Sequence, residues 1–204
     1  MDEHDDLFDD EPIEAFCVRC RETVEIQDPL PVWTRRGIPA TRGECPNCGG
    51  TVFRMGSTDA HNQLSRPAAV QVAEKSRAKL AQNTAYIAFA DQDEGLAQQL
   101  AADLQKVGIA CWLHEPEAAG VNWAGGVHPA LTECARMVYV LSPAALEAES
   151  VEAAWRFFRN KRKPIVIAQV GSAAPPDDIR RSPRFDFTAE YKAAFRQMVQ
   201  ALSE

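Results

Sequence analysis

The sequence predicts an α/β protein: a flavodoxin-like, doubly wound parallel sheet preceded by a small N-terminal β module. Three observations lead to this prediction. Residues 84–113 read as a complete strand, helix and strand. Strand and helix patterns continue to alternate from there to the C-terminus, as they do in doubly wound folds. Two Cys-x-x-Cys pairs lie upstream, in a stretch of short alternating segments that does not share this rhythm.

The strand, helix and strand pattern organises the second half of the chain. Residues 84–90 are an apolar run of strand length that stops at four polar residues. An apolar stripe with helical spacing follows, and Gly108 ends it as a C-terminal cap residue does. Residues 109–113 then form a second apolar run. Because both strands are apolar on both faces, they predict a parallel pair covered by helices on each side.

The later elements extend this pattern to the C-terminus. Loop residues 114–121 follow the second strand, at the edge where open parallel sheets bind ligands. Asn122 is predicted to be the N-cap of a helix that runs to about Cys134. The remaining predicted strands are 137–141, 164–168 and 185–187, and the remaining predicted helices are 144–161 and 189–202.

The net charge of −7 comes from one end of the chain. Residues 1–15 contain eight acidic residues and no Lys or Arg, which leaves 22 basic and 21 acidic residues in the rest. So many like charges predict a disordered acidic tail, and the nearly neutral body gives no general argument for a nucleic-acid partner. No apolar run approaches the roughly 18 residues of a membrane span, and the acidic start is unlike a signal peptide. We therefore expect a cytoplasmic protein without a membrane partner.

The four N-terminal cysteines predict a metal site. Cys17 and Cys20 form one Cys-x-x-Cys pair, and Cys45 and Cys48 form another after 24 intervening residues. Two such turns supply the four thiolates that structural Zn²⁺ takes in tetrahedral geometry. Two disulfides are disfavoured by the expected reducing compartment, and a redox pair by the lack of a buried strand leading into a helix. A closed four-cysteine site leaves no open position for a substrate, so we expect a structural role.

Residues 16–56 around these cysteines resemble a zinc ribbon. The predicted short strands are 22–26, 32–34 and 51–55. Such a small module depends on its metal for folding. Arg35, Arg36 and Arg42 beside Trp33 suggest a nucleic-acid contact, whereas the near balance of six Arg and four acids favours a protein-binding or packing role. Residues 57–83 are predicted to be a linker, with a helix over 68–82.

Residues 85–204 resemble a bacterial TIR domain in the order and spacing of their motifs. The motifs are the run 86–90, the turn from Gly108 into the second strand, the loop near Gly120 with Trp123, the Leu-Ser-Pro at 141–143, and the Lys-Pro-Ile at 163–165. The resemblance implies a five-stranded parallel sheet, homotypic or heterotypic TIR association, and either a scaffold role in signalling or cleavage of NAD⁺ at the nicotinamide bond. It also implies Phe89, Ala90, Trp123 and Ser150 as candidate nucleotide contacts.

The catalytic pattern of the resembled family is missing from this sequence. Catalytic members carry a Trp-x-x-x-Glu that begins eight residues after the Ser of the Ser-Pro pair. Counting from Ser142 places this pattern on Ser150 and Ala154, so both the Trp and the carboxylate are absent. Glu152 lies about 200° around a continuous helix from Ala154, and Glu147 lies about 10 Å along it. These two acids are the remaining candidates.

Three functions follow from the sequence. We expect a signalling and assembly protein that acts through protein–protein association and does not hydrolyse NAD⁺. The alternatives are an NAD⁺ nucleosidase that uses Glu147 or Glu152, and a nucleic-acid tether that uses the ribbon.

Several other side chains have a structural interpretation that outweighs a catalytic one. Ser142 is predicted to cap the helix that follows it, and Cys111 and Cys134 to be buried thiols. His114 and His128 lie in the loop region without a partner nearby in sequence. The basic residues at 156–163 are predicted to be a solvated face that offsets a helix dipole.

Overall fold

The computed structural model describes residues 12–67, 84–114 and 121–203. The chain divides into two compact units, and each is described here by itself. The cysteine unit comprises residues 12–67 and 121–126, and the α/β unit comprises residues 84–114 and 127–203. The predicted helix 68–82 and residues 1–11 of the predicted acidic tail lie outside the described residues.

Antiparallel strands form the cysteine unit. Strands β1 (Glu14–Cys17) and β2 (Glu22–Glu25) pair with each other. Strands β3 (Gln27–Trp33), β4 (Pro39–Glu44) and β5 (Thr51–Met55) form a three-stranded sheet in that order. A one-turn helix, α1 (Asp59–Asn62), follows. Strand β1 begins two residues before the boundary predicted at Phe16, because Ala15 is buried and the Ile26 N–H donates to the Ile13 carbonyl group.

Strand β4 was not predicted, because its sequence lacks an alternating apolar pattern. Its buried positions are small or polar, namely Ala40, Thr41 and Gly43. A methyl group at Gly43 would collide with the Ile26 side chain and with the carbonyl oxygen of Gln27. The close approach of the neighbouring backbone therefore requires glycine here.

The predicted helix from Asn122 to Cys134 is wrong. Residues 121–126 instead belong to the cysteine unit, where the Trp33 N–H donates to the Asn122 carbonyl and the Ala124 N–H donates to the Trp33 carbonyl. The helix itself, α3 (Pro129–Glu133), has His128 as its N-cap, six residues after the predicted cap. Gly126 has a φ of 76°, outside the helical region. His128 precedes Pro129, and the helical conformation is disfavoured for a residue before a proline. Both features delay the helix to Pro129.

The α/β unit contains a five-stranded parallel sheet. Its strands are β6 (Ala85–Ala88), β7 (Cys111–Leu113), β8 (Arg136–Leu141), β9 (Ile165–Gln169) and β10 (Arg184–Asp186). The order in the sheet is β10-β9-β8-β6-β7, and all pairs are parallel. Counted from the first strand of the unit, this is the 2-1-3-4-5 order of flavodoxin-like folds. The predicted fold class is confirmed.

The helices and the sheet enclose an apolar core. Helices α2 (Glu94–Lys106) and α6 (Tyr191–Ser203) pack on the sheet through Leu100, Leu104 and Met198, each fully buried. Helix α2 ends as predicted at Gly108, whose φ is 86°. The N–H groups of Gly108 and Ile109 donate to the carbonyl groups of Gln105 and Leu104, which completes a Schellman motif.

The predicted continuous helix 144–161 is two helices. Helix α4 (Pro143–Glu147) ends at Ala148, whose φ of −82° and ψ of 107° are extended, and helix α5 (Glu149–Asn160) begins immediately after it. Glu149 and Glu152 lie in the first turn of α5, where carboxylates favour a helix start. Ser142 caps α4 as predicted, because its Oγ accepts from the Ala145 N–H at 3.1 Å.

Lys163 differs from the solvated face predicted for its neighbours. Its Nζ donates to three carbonyl groups at the end of α3, those of Leu131, Thr132 and Cys134, at 2.6 to 3.0 Å.

Within the described residues, no helix is long and apolar enough to cross a membrane.

Candidate functional site: a metal centre and a cavity at the strand tips

Two equivalent turns present the four cysteines of the cysteine unit. In the first, the Arg21 N–H donates to the Cys17 carbonyl at 2.7 Å, and in the second the Gly49 N–H donates to the Cys45 carbonyl at 2.9 Å. Arg21 and Gly49 have φ values of 61° and 64°. Each cysteine pair is therefore followed by the same left-handed turn, which directs both of its sulfurs to one point.

The four sulfurs have the spacing of a tetrahedral metal site. The Sγ atoms of Cys17 and Cys48 are 3.7 Å apart and those of Cys20 and Cys45 are 3.8 Å apart, and all four lie within 4.8 Å of one another. Sulfurs about 2.3 Å from a central Zn²⁺ lie about 3.8 Å apart in a regular tetrahedron. Disulfide sulfurs would be about 2.05 Å apart, so these thiols are free. The donor set fits one zinc ion.

The thiols are arranged to favour ionisation of at least one of them. The backbone N–H of Cys20 points to the Cys17 sulfur at 3.5 Å and lowers the pKa of Cys17 to about 7. The hydrogen bond with Cys48, followed by burial, raises the pKa of Cys20. A divalent cation at the centre would stabilise all four groups as thiolates.

A small apolar core supports the cysteine turns. Cys17 and Cys45 are buried with Val24, Ile26 and Val52, and Cys20 and Cys48 pack against this cluster. A structural metal commonly adds folding free energy to a unit of this size.

Trp33 cannot contact a nucleic acid as the sequence suggested. It is 4% exposed and forms a parallel β-bridge with Trp123. Its ring also packs edge-on against His61, with centroids 5.4 Å apart. Arg35, Arg36 and Arg42 therefore lack the aromatic stacking surface that the nucleic-acid interpretation requires of Trp33.

His61 is a structural residue that the sequence analysis missed. Its Nδ1 accepts from the Thr58 N–H at 3.1 Å, so Nε2 carries the proton and faces the Ala40 carbonyl at 3.0 Å. It is 3% exposed. A single histidine before a polar linker gives no sequence signal for this role.

A cavity of about 320 Å³ lies at the carboxyl ends of the strands in the α/β unit. Phe89 and Ala90 follow β6, His114 follows β7, and helix α4 contributes Glu147. The other lining residues are Asp91, Gln92, Ala144, Ala148 and Ser150. This is the edge at which doubly wound sheets bind ligands.

His114 is positioned in this cavity by an aromatic cluster. The Tyr86 hydroxyl group lies 2.6 Å from its Nδ1, and the Phe89 ring packs edge-on at a centroid distance of 6.4 Å. Its Nε2 is buried and has no hydrogen-bond partner among the described residues. Burial lowers the pKa of His114, although the Asp91 carboxylate acts in the opposite direction. The neutral imidazole is therefore the favoured form.

The structure brings some of the candidate nucleotide contacts together and separates others. Phe89, Ala90 and Ser150 line the same cavity, together with the candidate acid Glu147. Trp123 lies in the cysteine unit. Glu147 reaches the cavity because the chain turns at Ala148, so the 10 Å separation expected along one continuous helix does not apply.

The remaining candidates lie away from this cavity. Ala154 is 1% exposed in the core. Glu152 forms an ion pair with Arg156 at 2.7 Å and lines a different cavity. Cys134 is buried as predicted, whereas Cys111 is only half-buried, and burial raises the pKa of each thiol to about 12.

Comparisons with known proteins agree with the division of the chain into a cysteine unit and an α/β unit. Residues 86–199 match the family model described as a TIR domain, and residues 16–55 match a model described as a domain of unknown function. The crystal structure of the TIR domain of the Toll-related receptor TRR-2 from Hydra magnipapillata has a similar fold, with a TM-score of 0.50 and 15% sequence identity. That match covers 59% of this chain and 98% of the other. No curated protein sequence matches the chain.

Proposed function

The chain belongs to the TIR domain family, and we propose that it is an assembly protein whose α/β unit associates with other TIR domains while its cysteine unit holds a structural zinc ion. TIR domains generally act in signalling through such homotypic or heterotypic contacts. Zinc at Cys17, Cys20, Cys45 and Cys48 would supply folding free energy to a unit whose own core is small.

The observation that carries the non-enzymatic assignment is the identity of the α5 residue at the family's catalytic position. Ala154 stands there and is buried, so it offers no carboxylate to a ligand. Glu152, two residues away, is held by Arg156 and does not line the strand-tip cavity.

Incubation of the purified chain with NAD⁺ tests this proposal. We expect no release of nicotinamide by chromatography, and a molar mass by light scattering that rises with protein concentration. Steady nicotinamide release would overturn the assignment, as would a mass that stays monomeric at every concentration.

Glu147 supports a second candidate function, NAD⁺ hydrolysis. Its exposed carboxylate lines the strand-tip cavity together with Phe89, Ala90 and His114. Hydrolysis breaks the bond between ribose and nicotinamide and uses one water molecule to form ADP-ribose. A carboxylate beside the ribose would stabilise the positive charge that develops as the nicotinamide leaves.

Paired substitutions distinguish the two functions. If the chain hydrolyses NAD⁺ through Glu147, E147Q should lower kcat at least about 100-fold, a loss typical of removing one charge-stabilising group. E152Q is the matched control, since Glu152 lines the other cavity. Equal rates for E147Q and the wild type would exclude Glu147 as the catalytic acid.

A further inference from the structure

The α/β unit has a strongly basic surface near the amino-terminal end of β9. Residues 156–184 contain eight Lys or Arg residues and two Asp residues, a surplus of six positive charges. By contrast, residues 84–155 contain two Lys or Arg residues and ten Asp or Glu residues, a surplus of eight negative charges. The positive charge of the second half of the chain is therefore concentrated in residues 156–184.

Three segments of the α/β unit meet at this surface. Arg159, in the last turn of α5, forms an ion pair at 2.8 Å with Asp178 of the 3-10 helix Asp177–Ile179. The chain after that helix leads into β10, where the Pro183 carbonyl group accepts from the Ile167 N–H of β9. The end of α5, the chain after the 3-10 helix and the start of β10 therefore lie side by side. We call the exposed basic residues that they carry the α5-end surface, and these are Arg159, Lys161, Arg162, Arg180, Arg181 and Arg184.

Half of the α5-end surface has no acidic partner. The two Asp residues of the stretch 156–184 each pair with one arginine of the surface, and Asp186 interacts electrostatically with Arg184. Lys161, Arg162 and Arg181 form no ion pair within the described part of the chain. Only three of the six bases lie at the end of α5, so compensation of its helix dipole does not account for the others. An anionic partner can bind the unpaired bases without breaking an existing ion pair.

An apolar side chain lies within this basic surface. The Phe157 ring is half-buried, and the ammonium groups of Lys161 and Lys163 lie 5.9 and 5.8 Å from its centroid. Pro164, which follows Lys163, is exposed. The surface therefore has an apolar centre with positive charges around it, and an apolar centre within a polar rim is typical of protein interfaces.

Residues 1–11 have the complementary composition. They contain seven Asp or Glu residues and no Lys or Arg, so they account for the whole net charge of −7. Leu7 and Phe8 stand between two acidic pairs, at residues 5–6 and 9–10. An apolar pair flanked by carboxylates matches an aromatic ring flanked by ammonium and guanidinium groups.

The described residues of the cysteine unit offer no comparable surface. Residues 12–67 contain seven Arg residues and six Asp or Glu residues, so their charges nearly balance. A segment with seven negative charges is therefore attracted to the α5-end surface more strongly than to the cysteine unit. Nucleic acid is the other polyanion that suits a basic surface, and the net charge of −7 on the same chain disfavours it.

We propose that the α5-end surface binds the acidic segment 1–11 of a second copy of this chain. Carboxylates of the segment pair with Lys161, Arg162 and Arg181, while Leu7 and Phe8 pack against the Phe157 ring. The inference deepens the proposed assembly function and rests on it, because it identifies one contact through which copies of the chain associate.

Fluorescence anisotropy with a labelled peptide of residues 1–11 tests the proposal. The receptor is the whole chain with its own seven acids in this segment neutralised, so that they do not compete with the peptide. This neutral-segment variant is D2N/E3Q/D5N/D6N/D9N/D10N/E11Q. We expect saturable binding that weakens at least about tenfold between about 50 mM and about 500 mM salt, because salt screens exposed charges. The peptide with L7S/F8S should also bind about tenfold more weakly, because it loses its apolar contact.

Charge reversal locates the binding surface. In the neutral-segment variant, R162E/R181E should weaken peptide binding at least about tenfold, because two attractive groups become repulsive. K192E/R196E is the matched control, since it makes the same change of charge on two exposed residues of α6. Helix α6 packs with α2 in the core cluster and carries no residue of the α5-end surface, so the control should bind the peptide as its parent does.

Light scattering separates this inference from the proposed function. We expect the molar mass of the wild-type chain to rise with concentration more steeply than that of the neutral-segment variant, and an excess of the peptide to lower it. If the neutral-segment variant associated as strongly as the wild type, the inference would be wrong and the assembly function would stand on another contact. Steady nicotinamide release would overturn the proposed function and leave the peptide binding unaffected.

Four other results would overturn the inference. The first is no peptide binding at millimolar concentration, and the second is equal weakening by R162E/R181E and K192E/R196E. The third is a DNA duplex that binds the wild-type chain more tightly than the peptide binds the neutral-segment variant, which would assign the surface to nucleic acid. The fourth is a wild-type chain that excludes the peptide while it stays monomeric, which would place the segment on its own chain.

Discussion

Arg21 and Gly49 occupy equivalent positions in the two cysteine turns, yet only one of them is glycine. Both have a positive φ near 60°, a conformation that places the Cβ of an L-residue too close to the backbone. Gly49 meets this requirement without strain, and nothing lies within 4 Å of a Cβ added there. The first turn therefore carries backbone strain that the second turn avoids.

Substitutions at these two positions should change the stability of the cysteine unit in opposite directions. We expect R21G to raise or maintain the stability of the cysteine unit, and G49A to lower it by about 1 kcal/mol through the left-handed backbone alone. Zinc affinity measured by competition with a chelating dye, together with thermal unfolding, would report both changes. R19G is the control: Arg19 lacks a positive φ, so glycine there should only destabilise. The same response from R21G and R19G would contradict the explanation.

His114 gives the α/β unit a pH dependence with a definite sign. Its pKa lies below 6.5 in the folded protein because of burial, whereas the unfolded chain titrates near 6.5. Below that pH the unfolded state binds a proton that the folded state does not, so stability falls as the pH is lowered from about 6.5.

Replacement of His114 should therefore flatten the acid limb of the stability curve. We expect the drop in Tm between about pH 7.5 and about pH 5.5 to be smaller for H114Q than for the wild type. H128Q should act in the same direction, since burial also lowers the pKa of His128. Scanning calorimetry at both pH values measures the drop in Tm of each protein. The cysteine thiols are the same in H114Q and the wild type, so their contribution to the drop cancels in the comparison. An identical drop in H114Q and wild type would refute this account.

At the scale of elements, Lys163 joins the end of one helix to the start of a strand. The last carbonyl groups of a helix lack partners within it, and the Lys163 ammonium group binds three carbonyl groups at the end of α3. The side chain lies just before β9, so it connects two elements that are distant in sequence. Partial burial lowers its pKa.

Removal of that charge should destabilise the α/β unit. We expect K163M to lower the free energy of unfolding by about 2 kcal/mol, because three carbonyl groups lose a charged donor. K161M, two residues earlier on an exposed position, should change it by less than about 0.5 kcal/mol. Urea unfolding followed by circular dichroism provides the comparison. Equal midpoints for the two variants would show that the contacts of Lys163 do not contribute.

At the scale of the whole molecule, the two units have separate apolar cores of different size. The α/β unit buries a cluster around Ile87, Leu100, Val138 and Met198, whereas the cysteine unit buries a smaller cluster around its sulfurs. Their stabilities should respond to different conditions, because only the cysteine unit contains a candidate metal centre among the described residues.

Zinc removal should therefore affect one unit selectively. We expect one zinc ion per chain by elemental analysis, and loss of the cysteine-unit unfolding transition after chelation or in C20S/C48S. The transition of the α/β unit should remain. C134S is the matched control, because Cys134 lies outside the metal centre and should leave the zinc content unchanged. Full occupancy by zinc in C20S/C48S would contradict the assignment.

The sequence by itself determined the fold class, the alternation of strands and helices along the α/β unit, and the four cysteines of the candidate metal centre. These depend on local signals: the period of the apolar residues fixes which segments are strands and helices, and Cys-x-x-Cys spacing fixes which sulfurs share a turn. Strand β4 and the position of α3 were not predicted, because the signals at Gly43 and Asn122 depend on neighbours that are distant in the chain.

Only the tertiary structure decided which side chains face each cavity. The bend at Ala148 places Glu147 in the strand-tip cavity and leaves Glu152 in another, although the two residues are five positions apart. Trp33 and Trp123 are 90 positions apart and yet pair within one unit. The meeting of three segments at the α5-end surface was also invisible in the sequence, since the neighbours of a side chain depend on every element packed around it.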